Sequence, residues 1–279
     1  MAKILVTGAT GFLGRHLVPA LRRTHDVRAV SSVDGDVGRR GTWATFPDAD
    51  VLIPLAGRTF VPESWTDPAG FLEANLLGAV WGGDYCRERK ASMVYLSSYL
   101  YGNAGSMPIP ESAPLDTPNP YALSNKLAED VCSFYASQYG VPSTILRPFN
   151  VYGPGQSDRF LIPSLVRQAR SGGIVEIKDA SPRRDYVYVE DVVNAIVKAA
   201  ERKDGYGVFN IGTGHSHSVA EVIDMLCDLV GRDIEVRDAG ERRPAEIMDS
   251  RADVARAREV LGWTPHWTLR DGLARMLEA

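Results

Sequence analysis

Apolar residues along the chain fall into two alternating textures. Short unbroken runs at Ile4–Thr7, Val27–Val30, Val51–Leu55, Met93–Leu96 and Thr144–Leu146 have the length and β-branched content of buried strands. Between them, 12–23, 68–88 and 121–139 carry apolar residues at helical spacing. The alternation predicts an α/β fold, a doubly wound parallel sheet covered by helices on both faces. Only 20 residues lie between Val30 and Val51. A short strand at Asp36–Val37 and a helix over 42–47 nearly fill that space, so one crossover is little more than a loop.

After Arg147 the texture changes. Pro148, Gly153, Pro154 and Gly155 break the pattern, and helices are predicted near 160–171, 190–201, 218–231, 250–260 and 268–278. Short strands are predicted near 174–177, 207–211 and 234–237. We expect residues 1–150 to form the main domain, rejoined by returns near 186–214. Residues 151–185 and 215–279 would make a smaller C-terminal substrate-binding lobe.

Length and charge narrow the possible roles. A chain of 279 residues suits two lobes and a sizeable core. Lysine and arginine total 31 against 35 acidic residues, a net −4, which argues against a nucleic-acid partner that needs a cationic face. No apolar run approaches the ~20 residues of a membrane span, and the first strand begins without room for a signal segment. Cys86, Cys132 and Cys227 are odd in number and widely spaced, fitting reduced thiols in a cytoplasmic protein.

The most informative local motif is Thr7-Gly8-Ala9-Thr10-Gly11-Phe12-Leu13-Gly14, between the first strand and the first helix. Gly8 permits a tight turn, Gly11 allows close backbone approach to a pyrophosphate, and Gly14 allows close helix–strand packing. The N–H groups opening that helix suit an anion. The context is that of a dinucleotide-binding Rossmann unit.

The G-x-x-G-x-x-G spacing resembles the extended short-chain dehydrogenase/reductase superfamily, in its NAD-dependent epimerase/dehydratase branch of nucleotide-sugar enzymes. Further matches run in order along nearly the whole chain. They are Leu55-Ala56-Gly57, Asn75–Gly78, Ser97-Ser98 through Gly102, Pro120-Tyr121, Arg147–Gly155, Arg184–Val189, Phe209–Gly212, Arg243-Pro244 and Leu261–Trp263.

The resemblance implies a dinucleotide held by Gly8, Gly11, Phe12, Leu13, Gly14, Ser31, Asp36, Val37, Leu55, Ala56, Gly57, Tyr121 and Pro148. It favours NAD. The acid that would grip the adenosine ribose at the end of the second strand is replaced by Ser31, which leaves NADP open. Arg39 or Arg40 is able to take a 2′-phosphate there, unless both simply start a solvated helix. Asp34 is able to replace the missing acid if its loop folds back.

The resemblance also implies a catalytic hydroxyl at Ser97 and an acid/base at Tyr121, whose phenol needs a cation to act as a base near neutral pH. That cation belongs at i+4, about 40° round the helix from Tyr121, where the chain has Asn125. Lys126, at i+5, lies about 140° away. Three readings stay open: an enzyme weakened or given its cation by another residue, a helix distorted so that Lys126 turns inward, or a binder of cofactor and sugar nucleotide without ordinary turnover.

For the substrate, the resemblance points to Ser98, Asn150, Arg184 and Arg243, the arginines on a diphosphate. Asp185 and Glu241 are the alternative partners of those arginines. His215 and His217 share a polar loop, and no metal site is expected. The implied activity is NAD(P)-dependent 4-epimerisation of a nucleotide sugar through a transient 4-keto sugar. The alternatives are an NADPH-dependent 4-keto-sugar reductase and a non-catalytic sugar-nucleotide binder. Apolar residues on more than one face of 68–88 and 121–139, including Phe71, Leu72, Val131, Phe134 and Tyr135, predict a homodimer through these helices.

Overall fold

A computed structural model describes residues 1–241 and 246–279. The chain opens with β1 (Lys3–Thr7), α1 (Phe12–Leu21), β2 (Asp26–Ala29), α2 (Arg40–Ala44) and β3 (Val51–Pro54). It continues through α3 (Val61–Thr66), α4 (Pro68–Phe71), a π-helical segment at Leu72–Leu77, α5 (Gly78–Arg89), β4 (Ser92–Leu96), α6 (Pro120–Tyr139) and β5 (Ser143–Pro148). Then follow β6 (Asn150–Tyr152), α7 (Leu161–Ser171), β7 (Val175–Ile177), β8 (Arg183–Arg184), β9 (Tyr186–Tyr188), α8 (Val189–Ala200) and β10 (Tyr206–Ile211). The last elements are β11 (His217–Ser218), α9 (Val219–Val230), β12 (Val236–Asp238), α10 (Ala255–Leu261) and α11 (Leu269–Glu278).

Six strands form one parallel sheet in the order β2-β1-β3-β4-β5-β10. The two-residue period of the strands sends alternate side chains to opposite faces. Ile4, Val6, Ile53, Val94 and Leu146 pack with Leu17 and Leu21 of α1 and with Val192 and Ile196 of α8. Leu5, Leu52, Met93, Tyr95 and Ile145 face Cys86 of α5, Ala128 and Cys132 of α6, and Trp43. This two-sided burial explains why the strands read as continuous apolar runs. A further core joins α7, α9 and α11 through Leu165, Ile223 and Leu273, with Tyr152 and Tyr188. β10 returns from that region to pair with β5 at the sheet edge.

Several boundaries differ from those expected. No strand forms at Asp36–Val37, because Gly35 adopts φ +137° and the Asp36 carboxylate accepts the Gly38 N–H in a turn. The following helix occupies 40–44 instead of 42–47. The helix expected over 250–260 begins only at Ala255, since Ile109 and Ala252 form a parallel bridge. The segment 68–88 is interrupted by its π turn, which carries buried Asn75. Its amide accepts the Arg58 N–H and donates to the Arg58 carbonyl and Ser124 Oγ, joining three segments.

A cleft joining a glycine cradle to a buried tyrosine

β1 lies between β2 and β3, so the crossover after β2 passes back over β1 and opens a crevice beyond the strand ends. A cleft of about 1010 Å³ begins there and runs to β9. Gly8, with φ +66°, sits so near the end of β3 that an added Cβ would lie 2.5 Å from the Ala56 nitrogen. A Cβ on Gly14 would lie 2.5 Å from the Gly8 carbonyl oxygen. Gly11 caps α1 without a side-chain acceptor, leaving the first helical N–H groups open to an anion. Phe12 and Leu13 line the cleft beside them. Leu55 and Ala56 are hydrogen-bonded to Thr7, and Gly57 lies under Asn75, whose Oδ1 would be 2.7 Å from an added Cβ. Pro148 closes this wall. This cradle fits a dinucleotide pyrophosphate.

Ser31, Asp36 and Val37 do not line the cleft. The loop after β2 does fold back: the Asp34 carboxylate accepts the Ser31 N–H at 2.9 Å and lies 3.9 Å from Arg28. Asp34 thus stands beside Ser31 and, like it, does not line the cleft. Arg39 precedes α2 and pairs with Asp36, while Arg40 lies over Trp81.

The chemical end of the cleft is built on α6. Asn119 caps this helix by accepting the Ala122 N–H, and Pro120 occupies its first position. Tyr121 follows, its ring edge-on to Phe71 at 6.2 Å. Burial pushes its phenol above the ordinary value, and the nearby Ser98 hydroxyl pulls weakly the other way. Ser98 Oγ approaches without a hydrogen bond of regular geometry, and Ser97 Oγ is buried without a partner. Both serines line the cleft.

The helix is regular, so Lys126 does not turn inward. Its ammonium pairs with Asp130 at 2.5 Å on the outer side, and its side chain is 38% exposed. Asn125 is 4% exposed. Its Nδ2 donates to the Tyr121 carbonyl at 3.0 Å, and its Oδ1 accepts from Tyr95 OH at 3.2 Å. Tyr95 was not singled out in the sequence. Its signal lay in strand parity, because it stands two residues before Ser97, which follows directly on the end of β4, and residues two apart along a strand share a face. One turn beyond Asn125, buried Glu129 forms a two-pronged pair with Arg147, at 2.9 and 2.6 Å. Arg147 also donates to Tyr101 OH.

At the far end, Asn150 lines the cleft, and its backbone N–H donates to the Asp185 carbonyl. Asp185 is not the partner of Arg184. Its carboxylate accepts from Thr213, Gly214 and Ala252 and closes a buried turn. Arg184 pairs with Glu246 and donates to the carbonyls of Arg183 and Ile247. Glu246 therefore occupies an arginine expected to hold phosphate. Arg243 and Pro244 lie outside the described residues. Tyr186 OH and Ser250 Oγ, both lining the cleft, are buried without partners. Such hydroxyls suit a polyhydroxylated ligand, which supplies the missing bonds. His217 pairs with Glu221 beside the cap of α9. Across the mouth, Arg159 stacks 3.7 Å over Phe60 and pairs with Glu63, while Phe160 packs edge-on to Phe60.

The sequence pattern of the NAD dependent epimerase/dehydratase family matches residues 4–212. A GDP-6-deoxy-D-mannose reductase of Pseudomonas aeruginosa is 33% identical over 99% of this chain and 96% of its own. A UDP-glucose 4-epimerase of Mycolicibacterium smegmatis is 30% identical over 99% of this chain and 97% of its own. The structure of RMD from Pseudomonas aeruginosa complexed with NADPH superposes with a TM-score of 0.91 at 31% identity, covering 100% of this chain and 98% of that one. With its glycine cradle, six-stranded parallel sheet and cleft tyrosine, this chain belongs to the NAD-dependent epimerase/dehydratase family.

Proposed function

We propose that the protein is an NAD(P)-dependent enzyme acting at the sugar of a nucleoside diphosphate sugar, at a hydroxyl or keto carbon such as C4. One observation carries the reading: a single cleft joins the glycine cradle, the Ser98–Tyr121 pair and Arg184, with unpartnered hydroxyls between them. When bound, the nicotinamide supplies or takes up a hydride at the sugar carbon. The chain's own groups do the rest. Gly8, Gly11 and Gly14 make room for the pyrophosphate, Tyr121 carries the proton, and Ser97 and Ser98 orient the sugar oxygen. Arg184 binds the substrate diphosphate after releasing Glu246. Asn150, Tyr186 and Ser250 contact the sugar nucleotide. Residues 151–185 and 215–279 serve as the substrate lobe.

Both 4-epimerisation and 4-keto-sugar reduction use this arrangement. Epimerisation asks Tyr121 to serve as base and then as acid, whereas reduction asks only for the acid. Absence of a cation from position 125 favours the second.

A homodimer is supported by Leu123, Leu127, Val131 and Phe134, spaced three or four residues apart along α6, with Phe134 53% exposed. Phe71 takes no part, because it is fully buried within the subunit. The three unpaired thiols are consistent with the cytoplasm. Native mass spectrometry tests the assignment: the expected species is a dimer carrying dinucleotide and gaining one UDP- or GDP-sugar per subunit. A protein that binds neither NADH nor NADPH at millimolar concentration refutes it.

A further inference from the structure

The loop between β6 and α7 is fastened at both ends to elements that follow strands of the main sheet. At its start, His16 Nε2 on α1 donates to the Pro154 carbonyl at 2.9 Å. At its end, Arg159 lies 3.7 Å over the Phe60 ring and pairs with Glu63 of α3 at 2.6 Å, and Phe160 packs edge-on to Phe60. Between these fastenings Gln156 lines the cleft. Its backbone N–H donates to the Gly153 carbonyl, and its side-chain Nε2 donates to the Val151 carbonyl at 2.9 Å. A carbonyl only accepts, so this bond fixes the orientation of the amide and leaves Oε1 facing away from Val151. That oxygen is buried and has no partner. The unpartnered hydroxyls of Ser98, Tyr186 and Ser250 are able to turn and to donate or accept, whereas Gln156 Oε1 only accepts.

A buried acceptor of fixed direction asks its ligand for a donor. Phosphate, carboxylate and ketone oxygens have no proton to give, whereas a sugar hydroxyl has one. Val151, which holds the amide, follows Asn150 on β6 and pairs with Val187 of β9, next to Tyr186. Gln156 therefore stands with the residues proposed to contact the sugar nucleotide. We propose that Gln156 is a specificity-determining residue whose amide oxygen accepts a hydrogen bond from a free hydroxyl on the sugar, and that the Arg159–Glu63 clasp positions it. The clasp partners are 47% and 43% exposed, so the fastening is weak enough to open for the ligand. Glu63 also lies 3.9 Å from Arg58, so loss of Arg159 strands no carboxylate. The inference rests on the function proposed above and names a feature its substrate must carry. Opposite position 156 the sugar has a hydroxyl, not a deoxy, keto or carboxyl carbon.

Calorimetry on protein saturated with NADH or NADPH tests it, with UDP-glucose and GDP-mannose as probes set against UDP and GDP. Gln156→Met keeps the side-chain length and removes the acceptor. It should weaken the tighter sugar nucleotide about fivefold or more and leave the matching nucleoside diphosphate within about twofold. Should that variant fail to fold, Gln156→Asn, which withdraws the oxygen by one methylene, takes its place with the same expectation. Arg159→Gln should weaken the sugar nucleotide about threefold or more by itself. Added to Gln156→Met it should cost less than about twofold further, since the group it positions is already gone. Losses from the two variants that simply multiply would overturn the positioning role of Arg159. A loss shared equally by the bare nucleoside diphosphate, or confined to the dinucleotide, assigns the acceptor to another group and overturns the proposal. Sugar-nucleotide affinity unchanged in Gln156→Met also overturns it, while leaving the function standing. A wild type that binds neither dinucleotide nor either probe overturns the function, and the proposal with it.

Discussion

Arg147→Met offers a quantitative test of how α6 is anchored to the sheet. Arg147 is 5% exposed and Glu129 is 4% exposed. The guanidinium donates at 2.9 and 2.6 Å to the two Glu129 oxygens, at 2.8 Å to Tyr101 OH and at 3.2 Å to the Glu111 carbonyl. Removing Arg147 alone strands a carboxylate in a low-dielectric interior, at a cost of about 3–5 kcal/mol. Replacing Glu129 by Leu as well removes that carboxylate. The double variant then lacks only donors to Tyr101 and Glu111, each worth about 1 kcal/mol net, and should lie about 1–2 kcal/mol below wild type. Urea unfolding provides the assay, with stability compared at unchanged m. The ordering wild type, double variant, Arg147→Met is the signature. A single variant costing less than about 1 kcal/mol, or a double variant no more stable than Arg147→Met, would show that the pair does not anchor the helix as a buried ion pair.

Four further outcomes follow from the same geometry. Gly14→Ala should weaken NADPH or NADH binding at least tenfold by fluorescence titration, because its Cβ meets the Gly8 carbonyl oxygen at 2.5 Å. Gly41→Ala, whose Cβ meets nothing within 4 Å, should instead raise stability by about 0.5–1 kcal/mol, read as a higher melting temperature. Arg184→Ala should weaken binding of UDP or GDP by about 1.5–3 kcal/mol in calorimetry, as one charge-assisted phosphate contact is lost. Ser218→Ala removes one half of the capping box with Glu221 and should cost about 0.5–2 kcal/mol in thermal unfolding without altering dinucleotide affinity.

The main sheet was legible in the sequence because two-sided burial leaves little choice of residue. β1, β3, β4 and β5 are apolar on both faces, and their runs were found within one or two residues of the observed bounds. Alternation also fixed the helices between them. Errors gathered where apolar patterning carries no information. A strand at Asp36–Val37 was expected only from the space left before Val51, yet Gly35 and the Asp36 side chain turn the chain there. The π turn at Leu72–Leu77 left no mark in the apolar spacing, since its cause is the set of bonds Asn75 makes to Arg58 and Ser124.

The candidate site divides along the same line between local and distant causes. Glycine 8, 11 and 14 could be read directly, because close backbone approach admits only one residue type at a known spacing. The outward placement of Lys126 could also be read, because helical phase is a local property and α6 is regular over 120–139. What replaces the lysine could not. Tyr95 is 30 residues from Asn125 and Glu246 is 62 from Arg184, so neither pairing follows from spacing along the chain. Both pairings occupy positions where the family resemblance led us to expect direct contact with cofactor or substrate. Their effects differ. The Asn125–Tyr95 bond is neutral and buried, so it places no charge on the face of α6 that carries Tyr121. The Arg184–Glu246 pair is charged and partly exposed, so a diphosphate is able to compete for it.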